Sequence, residues 1–549
     1  MADHNDPRDR VRLVWAMAAG LVGLELAAYT VHGPASWLAA RVWAVMGIGF
    51  VCVSLVEIGF GIVRSLRRTP FATVVALSLL GATAFLGISG VELVTVDHEA
   101  TQQIASGLDS FSEPDWGYTG SGFLGYPSRQ YLIVSLPALV LGRTLLGLRL
   151  GYALVFVLGV LIFWAGLLRT WEKLPWGEYM VPIATTAVLG FPYLVEHVRH
   201  FEQSILPVSF TLATVGWLLL ARDRPTLQNF GALAWVGAML GTCYTPGLAS
   251  WALLYIALLW LASQAVAAGH RELAASWVAV TVLVVFFAVM SFASRTDLLH
   301  GDGGALVGSP ILDGLKGLAV FLFGHPRAFL SPVLYLPVML FLVFALCGRL
   351  RLPSFVVAIW SIGVIAAAGA LQGYASPIPA FGLHRAIVIA PPLIVACAWW
   401  TMVRIRLTKG RLRVFFLVLC ALVAHNLWLL TEQHTPSIRD VIYSDMIGQA
   451  READISSDTE VLMVLLDRSG VFENAIDYTN YFFPGAEVVR SKSEAFGIKL
   501  LQKPLIAYTR LPRWNSNLPV GPSAEAKVLR FKGRNRNIKF HRLVAQPNR

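Results

Sequence analysis

The triplet Asp97-His98-Glu99 directly follows a long apolar run and places three ionisable side chains together. A carboxylate at the end of a membrane helix can take the proton of an incoming hydroxyl group, which is general-base chemistry. Two structural alternatives remain open. Asp97 is well placed to cap a short helix predicted over EATQQIASGL, and Glu99 would then lie in its first turn, where an acid answers the helix dipole.

The loop that begins at this triplet, residues 97–146, is long and rich in aromatic residues and turn formers. Ala100, Ile104 and Leu108 recur at four-residue spacing, which predicts that the short helix lies flat on the membrane interface. Aromatic side chains such as that of Tyr126 settle at headgroup depth. The pattern therefore predicts a loop on the membrane surface that includes residues able to meet a lipid.

Three arginines follow in the second half of the loop and just beyond it, namely Arg129, Arg143 and Arg149. A guanidinium at headgroup depth can hold a phosphate through two parallel hydrogen bonds. For any one of them, an anchor whose charged end snorkels to the interface is the more common role. The sequence leaves both interpretations open.

Two further ionisable clusters lie beside later apolar runs. The pair His384-Arg385 immediately precedes one run, and the other cluster closes a hairpin and contains Glu196, His197, Arg199, His200 and Glu202. The spacing of histidine and glutamate in the hairpin cluster matches no known zinc pattern. Acidic residues in two successive loops, with arginine at the mouth of a later span, suit a site for a phosphate-linked lipid. A carboxylate would deprotonate a hydroxyl while cations stabilise the departing phosphate.

The composition shows what must position these residues. Of 549 residues, 56% are hydrophobic and only 14% are charged, whereas soluble domains have roughly 25% charged residues. The mean hydropathy is +0.62. The formal net charge of +11 comes from basic residues gathered between apolar runs, so a nucleic-acid partner is not indicated. We therefore predict a mainly α, polytopic membrane protein.

A helix needs about 20 apolar residues to cross the hydrocarbon layer. Thirteen segments fit, with weak boundaries where Thr245-Pro246-Gly247 joins two short ones. They are 11–31, 39–63, 71–92, 147–168, 179–195, 204–221, 229–243, 247–263, 273–293, 328–347, 354–371, 386–402 and 412–431.

Basic residues predict the direction of these spans. They precede span 1 and follow spans 2, 4, 6, 8, 10 and 12, so all of these connections lie on the cytoplasmic side if the N-terminus is cytoplasmic. We therefore expect loop 97–146 and the loops near 196–203, 294–327 and 372–385 on the outer side of the cell's inner, plasma membrane. An odd number of spans places the C-terminal tail outside as well, in the periplasm or extracellular space.

The tail changes character. Strand-like segments around a helical FENAIDYTNYFF predict a small α/β domain. The domain prediction is therefore an N-terminal transmembrane hairpin at 1–70, a transmembrane module at 71–431 and an extracytoplasmic domain at 432–549. Glu25 and Glu57 lie inside the first two spans, where carboxyl groups are costly and are functional candidates unless they are protonated or paired.

Several segments resemble the GT-C superfamily of integral-membrane glycosyltransferases, in the branch of the aminoarabinose transferases and protein O-mannosyltransferases. VTVDHEATQQIASGL is similar to the family's acidic motif at the start of the first outer loop. GYPSRQYLIVSLPALVLGRTLLGL is similar to the Pro-containing turn, short helix and arginine that follow. VRHFEQSILPVSF and LHRAIVIAPPLIVACAWW resemble the second-loop element and a late span that opens with arginine. The resemblance covers roughly residues 71–431.

The resemblance implies a reaction in which a sugar moves, with inversion, from a polyprenyl phosphate to an acceptor hydroxyl on lipid, glycan or protein. By that resemblance Asp97 is the general base and Glu99 assists it. The residues implied in holding donor phosphate or substrate are Tyr126, Arg129, Arg199, Glu202, His384 and Arg385. No nucleotide cofactor is implied, and dependence on a divalent cation is left open.

The chain departs from the family in its two additional N-terminal spans, in Glu202 where aspartate is commoner, and in the turn at 245–247, which lacks lysine. The competing interpretation is a transporter or lipid flippase, which expects charges and broken helices near the midplane. A ligase that takes a whole lipid-linked glycan shares the donor chemistry.

Overall fold

A computed structural model describes most of the chain, and nearly all of the described part is helical. It describes residues 7–31, 34–89, 129–191, 205–243, 247–293, 331–347, 352–375, 384–404 and 408–432, five strands between 462 and 545, and single positions at 104, 105, 108, 194, 198, 315 and 350.

The first half of the helical part runs from an N-terminal hairpin to a close-packed group of shorter helices. Its helices are α1 (Pro7–Val31), α2 (Pro34–Arg68), α3 (Pro70–Ser89), α4 (Arg129–Leu141), α5 (Leu145–Trp171), α6 (Gly177–Leu189) and α7 (Ile205–Asp223). Prolines begin each of the first three, at a position where the missing N–H costs nothing.

The second half contains seven α-helices and one 3-10 helix among the described residues. Its elements are α8 (Leu227–Thr242), α9 (Gly247–Ala267), α10 (Arg271–Ala293), α11 (Ser331–Leu346), α12 (Leu352–Ala375), the 3-10 helix η1 (His384–Ile389), α13 (Ala390–Arg404) and α14 (Lys409–Glu432). The side chains that the core buries come from nearly all of these helices and form one apolar cluster.

A helix lies at each of the thirteen predicted spans, but the described helices differ in length. Eight of them are long and apolar enough to cross a membrane. Helices α6, α8 and α11 have 13, 16 and 16 residues, about 20–24 Å at 1.5 Å per residue, which is shorter than a hydrocarbon core of about 30 Å. The structure is therefore compatible with a multi-pass membrane protein, and the count of thirteen spans stays a prediction.

Helices α5 and α7 run in parallel, and small residues let their backbones touch. A methyl group on Gly159 would lie 2.5 Å from the carbonyl oxygen of Ser209, and one on Gly216 would lie 2.5 Å from that of Ile162. Such close approach between helices is typical of membrane proteins, where packing rather than water drives association. The parallel arrangement directs the starts of both helices toward one end of the bundle, where α5 extends about 10–15 Å beyond the first residue of α7.

At the opposite end, basic and acidic side chains tie the helix ends together. The ion pairs are Arg64–Glu172 at 2.7 Å, Arg68–Glu178 at 3.3 Å, Arg169–Glu57 at 3.5 Å and Lys173–Asp223 at 2.6 Å. Arg10 Nη1 also donates to the carbonyl oxygen of Pro225 at 2.5 Å. We call this the basic end. The structure thus gathers basic residues from the start of α1 and from the ends of α2 and α5, together with Asp223 at the end of α7, while the side of the membrane on which they lie stays a prediction.

The C-terminal tail contains a five-stranded mixed sheet. Its strands are β1 (Leu462–Leu466), β2 (Glu487–Val489), β3 (Leu505–Thr509), β4 (Glu525–Lys532) and β5 (Asn537–Ala545), in the order β2-β1-β3-β5-β4. Strand β1 pairs in parallel with β2 and β3, and β5 pairs antiparallel with β3 and β4. The helix predicted at residues 472–483 lies outside the described residues, so the α/β domain as a whole stays a prediction.

Candidate functional site

The structure describes the predicted site residues only in part. Arg129 is the first residue of α4, and His384 and Arg385 are the first two residues of η1. The side chains of these three, and the whole of the remaining five, lie outside the described residues; the five are Asp97, Glu99, Tyr126, Arg199 and Glu202.

The described elements around these residues nevertheless share one end of the bundle, which we call the loop end. Helices α5 and α7 both begin there, because they pack in parallel and both finish at the basic end. Helix α9 also begins there, since α8 returns from the basic end. The hydroxyl of Ser250 in α9 donates to the carbonyl oxygen of Val388 at 2.9 Å, which fixes η1, and with it the backbone of His384 and Arg385, against the start of α9.

Fragments of the two intervening segments are also packed onto the bundle. In the first, Ile104, Ala105 and Leu108 are helical and buried, as expected for the short helix predicted there. In the second, Leu194 and Val198 are helical and fully buried. Both segments are therefore attached to the bundle through apolar side chains.

One buried arginine in this region is not among the site residues that the family resemblance implies. Arg149, in the second turn of α5, is fully buried, with 0% of its side chain exposed. It lies about 33 Å from Trp171 along the helix axis, so it belongs to the loop end. A buried guanidinium is costly unless a partner compensates it. The interpretation of Arg149 as a snorkelling anchor is therefore wrong, because a snorkelling side chain leaves its charged end exposed.

The hairpin of α4 and α5 shows which face of α5 carries Arg149. Thr144 caps α5 by accepting a hydrogen bond from the Gly147 N–H at 3.0 Å. A methyl group on Gly147 would lie 2.7 Å from the carbonyl oxygen of Gly142, and one on Gly151 would overlap the carbonyl oxygen of Val134. Arg149 lies two residues from each glycine, so it projects from the opposite face of α5 and is buried by the rest of the bundle and not by α4.

The two carboxyl groups inside the first spans have partners. Glu25 is fully buried and accepts a hydrogen bond from Trp43 Nε1 in α2. Glu57 pairs with Arg169 at 3.5 Å, with less than a fifth of each side chain exposed. Both contacts join neighbouring helices, which explains the two carboxyl groups without a transport role.

Within the part of the chain that the structure describes, no group of three or more histidine, cysteine, aspartate or glutamate side chains is placed to hold a metal ion. The hairpin cluster at 196–202 falls outside that part, except for Val198.

Comparisons with known proteins do not identify a family for this chain. No protein-family model matches the chain, and no curated protein has a significantly similar sequence. The functional argument therefore depends on the residues themselves and on the elements that hold them.

Proposed function

We propose that the chain is an inverting glycosyltransferase that moves a sugar from a polyprenyl-phosphate donor to an acceptor hydroxyl at the outer face of the membrane. The observation that carries the proposal is the separation of the ionisable residues. Those that resemble the acidic, histidine and arginine motifs lie in the sequence beside the described helix ends of the loop end, whereas the described charged residues of the basic end pair with one another between helices.

In this proposal Asp97 takes the proton of the acceptor hydroxyl. The oxygen of that hydroxyl then attacks the anomeric carbon of the sugar from the face opposite the phosphate. The bond between that carbon and the phosphate oxygen breaks, and the electron pair leaves with the polyprenyl phosphate. Arg129, Arg199 and Arg385 stabilise the charge that develops on the phosphate, and Glu99 orients Asp97. The donor and acceptor are contacted by Tyr126, Glu202 and His384.

Arg149 supports the proposal, because it adds a buried guanidinium at the loop end. Arg143 stands one residue before the α5 cap, where the chain turns between α4 and α5. The basic residues that the first turn of α1 and the last turns of α2, α5 and α7 carry support a cytoplasmic N-terminus. With thirteen spans, the tail would then lie outside, as an α/β domain next to the acceptor.

The alternative is a transporter or a flippase of lipid-linked glycans. Its best support is Glu25, a fully buried carboxyl group in α1. The hydrogen bond from Trp43 and the pairing of Glu57 with Arg169 weaken that support, since both carboxyl groups have structural partners.

The experiment is a transfer assay. Purified protein in liposomes receives radiolabelled polyprenyl-phosphate sugars and a membrane extract as the source of acceptors. We expect label in the acceptor fraction with the wild type and a loss of at least about a hundredfold with Asp97→Asn, the lower range for removal of a general base. Asp109→Asn removes the same charge from the same loop and should keep the activity.

Two results would reject the proposal. One is equal transfer by wild type and Asp97→Asn. The other is movement of intact labelled donor across the bilayer without any transfer, which would establish the transporter.

A further inference from the structure

A cleft of about 630 Å³ runs from the basic end toward the middle of the bundle, where Ser250 lines it. Its walls come mainly from α7, α9, α12 and α13, with single turns of α5 and α8, and their surface is mostly aliphatic and aromatic. Ligand sites are typically about 300–1,000 Å³, so the cleft is large enough to hold part of a ligand. It opens sideways, because the lining residues Ile256, Trp260 and Trp399 are 40%, 37% and 36% exposed.

Two arginines stand at the mouth of the cleft. Arg222, in the last turn of α7, and Arg404, the last residue of α13, both line it and are both exposed. Among the described residues, neither guanidinium has a carboxylate within 4.0 Å. This distinguishes them from Arg64, Arg68 and Arg169, whose charges are compensated by glutamates.

The depth of the cleft matches one membrane leaflet. From Arg222 back to Thr211 helix α7 rises about 16 Å, and from Arg404 back to Pro392 helix α13 rises about 18 Å. Both values are close to half of a hydrocarbon core of about 30 Å. The cleft is therefore cationic at the interface and apolar down to the middle of the bilayer.

We propose that this cleft binds one anionic phospholipid of the leaflet at the basic end. Its phosphate lies between Arg222 and Arg404, and an acyl chain runs along the wall formed by Val215, Ala257 and Ala396. Arginine is suited to phosphate through paired hydrogen bonds, and Trp260 and Trp399 lie at the depth where aromatic residues meet headgroups. The two arginines and the apolar wall are not part of the glycosyltransferase proposal, although Ser250, which lines the cleft, also contacts η1.

Lipid binding to the delipidated full-length protein in detergent tests the proposal by native mass spectrometry. Phosphatidylglycerol and phosphatidylcholine with the same acyl chains are titrated separately, and inorganic phosphate is added as a competitor. We expect one phosphatidylglycerol to bind in preference to phosphatidylcholine, and an affinity about thirtyfold lower in the double variant Arg222→Gln/Arg404→Gln, from the attraction of each basic residue for anionic lipid.

The matched control is Arg271→Gln/Arg413→Gln, which removes two exposed charges near the basic end away from the cleft. It should bind as the wild type does. A second variant, Ala257→Trp, fills the cleft without changing charge and should also lose the bound lipid. If this variant does not fold, the comparison of the two arginine double variants is sufficient for the test.

Three results would overturn the proposal. The first is an equal loss of affinity in both arginine pairs, which would show general surface attraction only. The second is equal binding of phosphatidylcholine. The third is displacement of bound phosphatidylglycerol by inorganic phosphate at the concentration at which the lipid itself binds, which would show a site for the free anion.

Discussion

Replacement of Gly216 by alanine is the sharpest test of the α5–α7 contact. The added methyl group would lie 2.5 Å from the carbonyl oxygen of Ile162, and ordinary contact begins at 3.4 Å, so the helices must separate by 3.4 − 2.5 = 0.9 Å. A gap of about 0.5–1 Å removes roughly a quarter to a half of each dispersion contact of about 0.1–0.2 kcal/mol, and one large buried side chain alone makes about 40 such contacts. The cost is about 2 kcal/mol, within the usual range for overpacking.

The matched control is Gly231→Ala in α8, where the nearest atom to the added methyl is Met17 Sδ at 3.7 Å. Alanine also favours the helix over glycine by about 1 kcal/mol. We therefore expect a lower apparent melting temperature for Gly216→Ala and an unchanged or higher one for Gly231→Ala, measured by size-exclusion chromatography of heated samples. Equal melting temperatures would refute the close-packing argument. Since α5 and α7 both begin at the loop end, Gly216→Ala should also lower sugar transfer.

Two other predictions use contacts described above. Ser250→Ala removes the hydrogen bond to Val388 at a cost of about 0.5–1.5 kcal/mol. Transfer activity should fall more than thermal stability, because η1 begins with His384 and Arg385. Full transfer activity in this variant would show that the position of η1 does not matter for the site. A double-mutant cycle on Arg169 and Glu57 should give a coupling of about 1 kcal/mol, and the cycle on Arg12 and Asp9 almost none, although both pairs are 3.5 Å apart. The reason is exposure, since the side chains of the first pair are 16% and 19% exposed and those of the second 80% and 51%, and equal couplings would contradict it.

Much of the helical architecture could be predicted from the sequence because apolar runs report directly on helices in a membrane. The positions of thirteen helices, and the strand-like segments of the tail, follow from local patterns. The lengths of α6, α8 and α11 do not, since helix ends depend on local turns such as the one at Trp176, which has a left-handed backbone with φ of 64°.

The candidate site could be predicted only as a set of residue types. Arg149 shows the reason. An arginine at the start of a span suggests a snorkelling anchor when only its neighbours in sequence are considered. Its burial depends on the helices that pack on the face of α5 opposite Gly147 and Gly151, and those helices are distant in sequence. Glu25 is similar, because its partner Trp43 lies in another helix.

The order of the strands in the tail has a consequence for self-association. Strands β2 and β4 form the borders of the sheet, and an open border can recruit a strand from another molecule and start aggregation. Strand β2 has only three residues, whereas β4 carries Lys527, Arg530 and Lys532. Two molecules that approached through β4 would bring like charges together, so the tail resists fibril-like stacking although the rest of the chain is unusually hydrophobic.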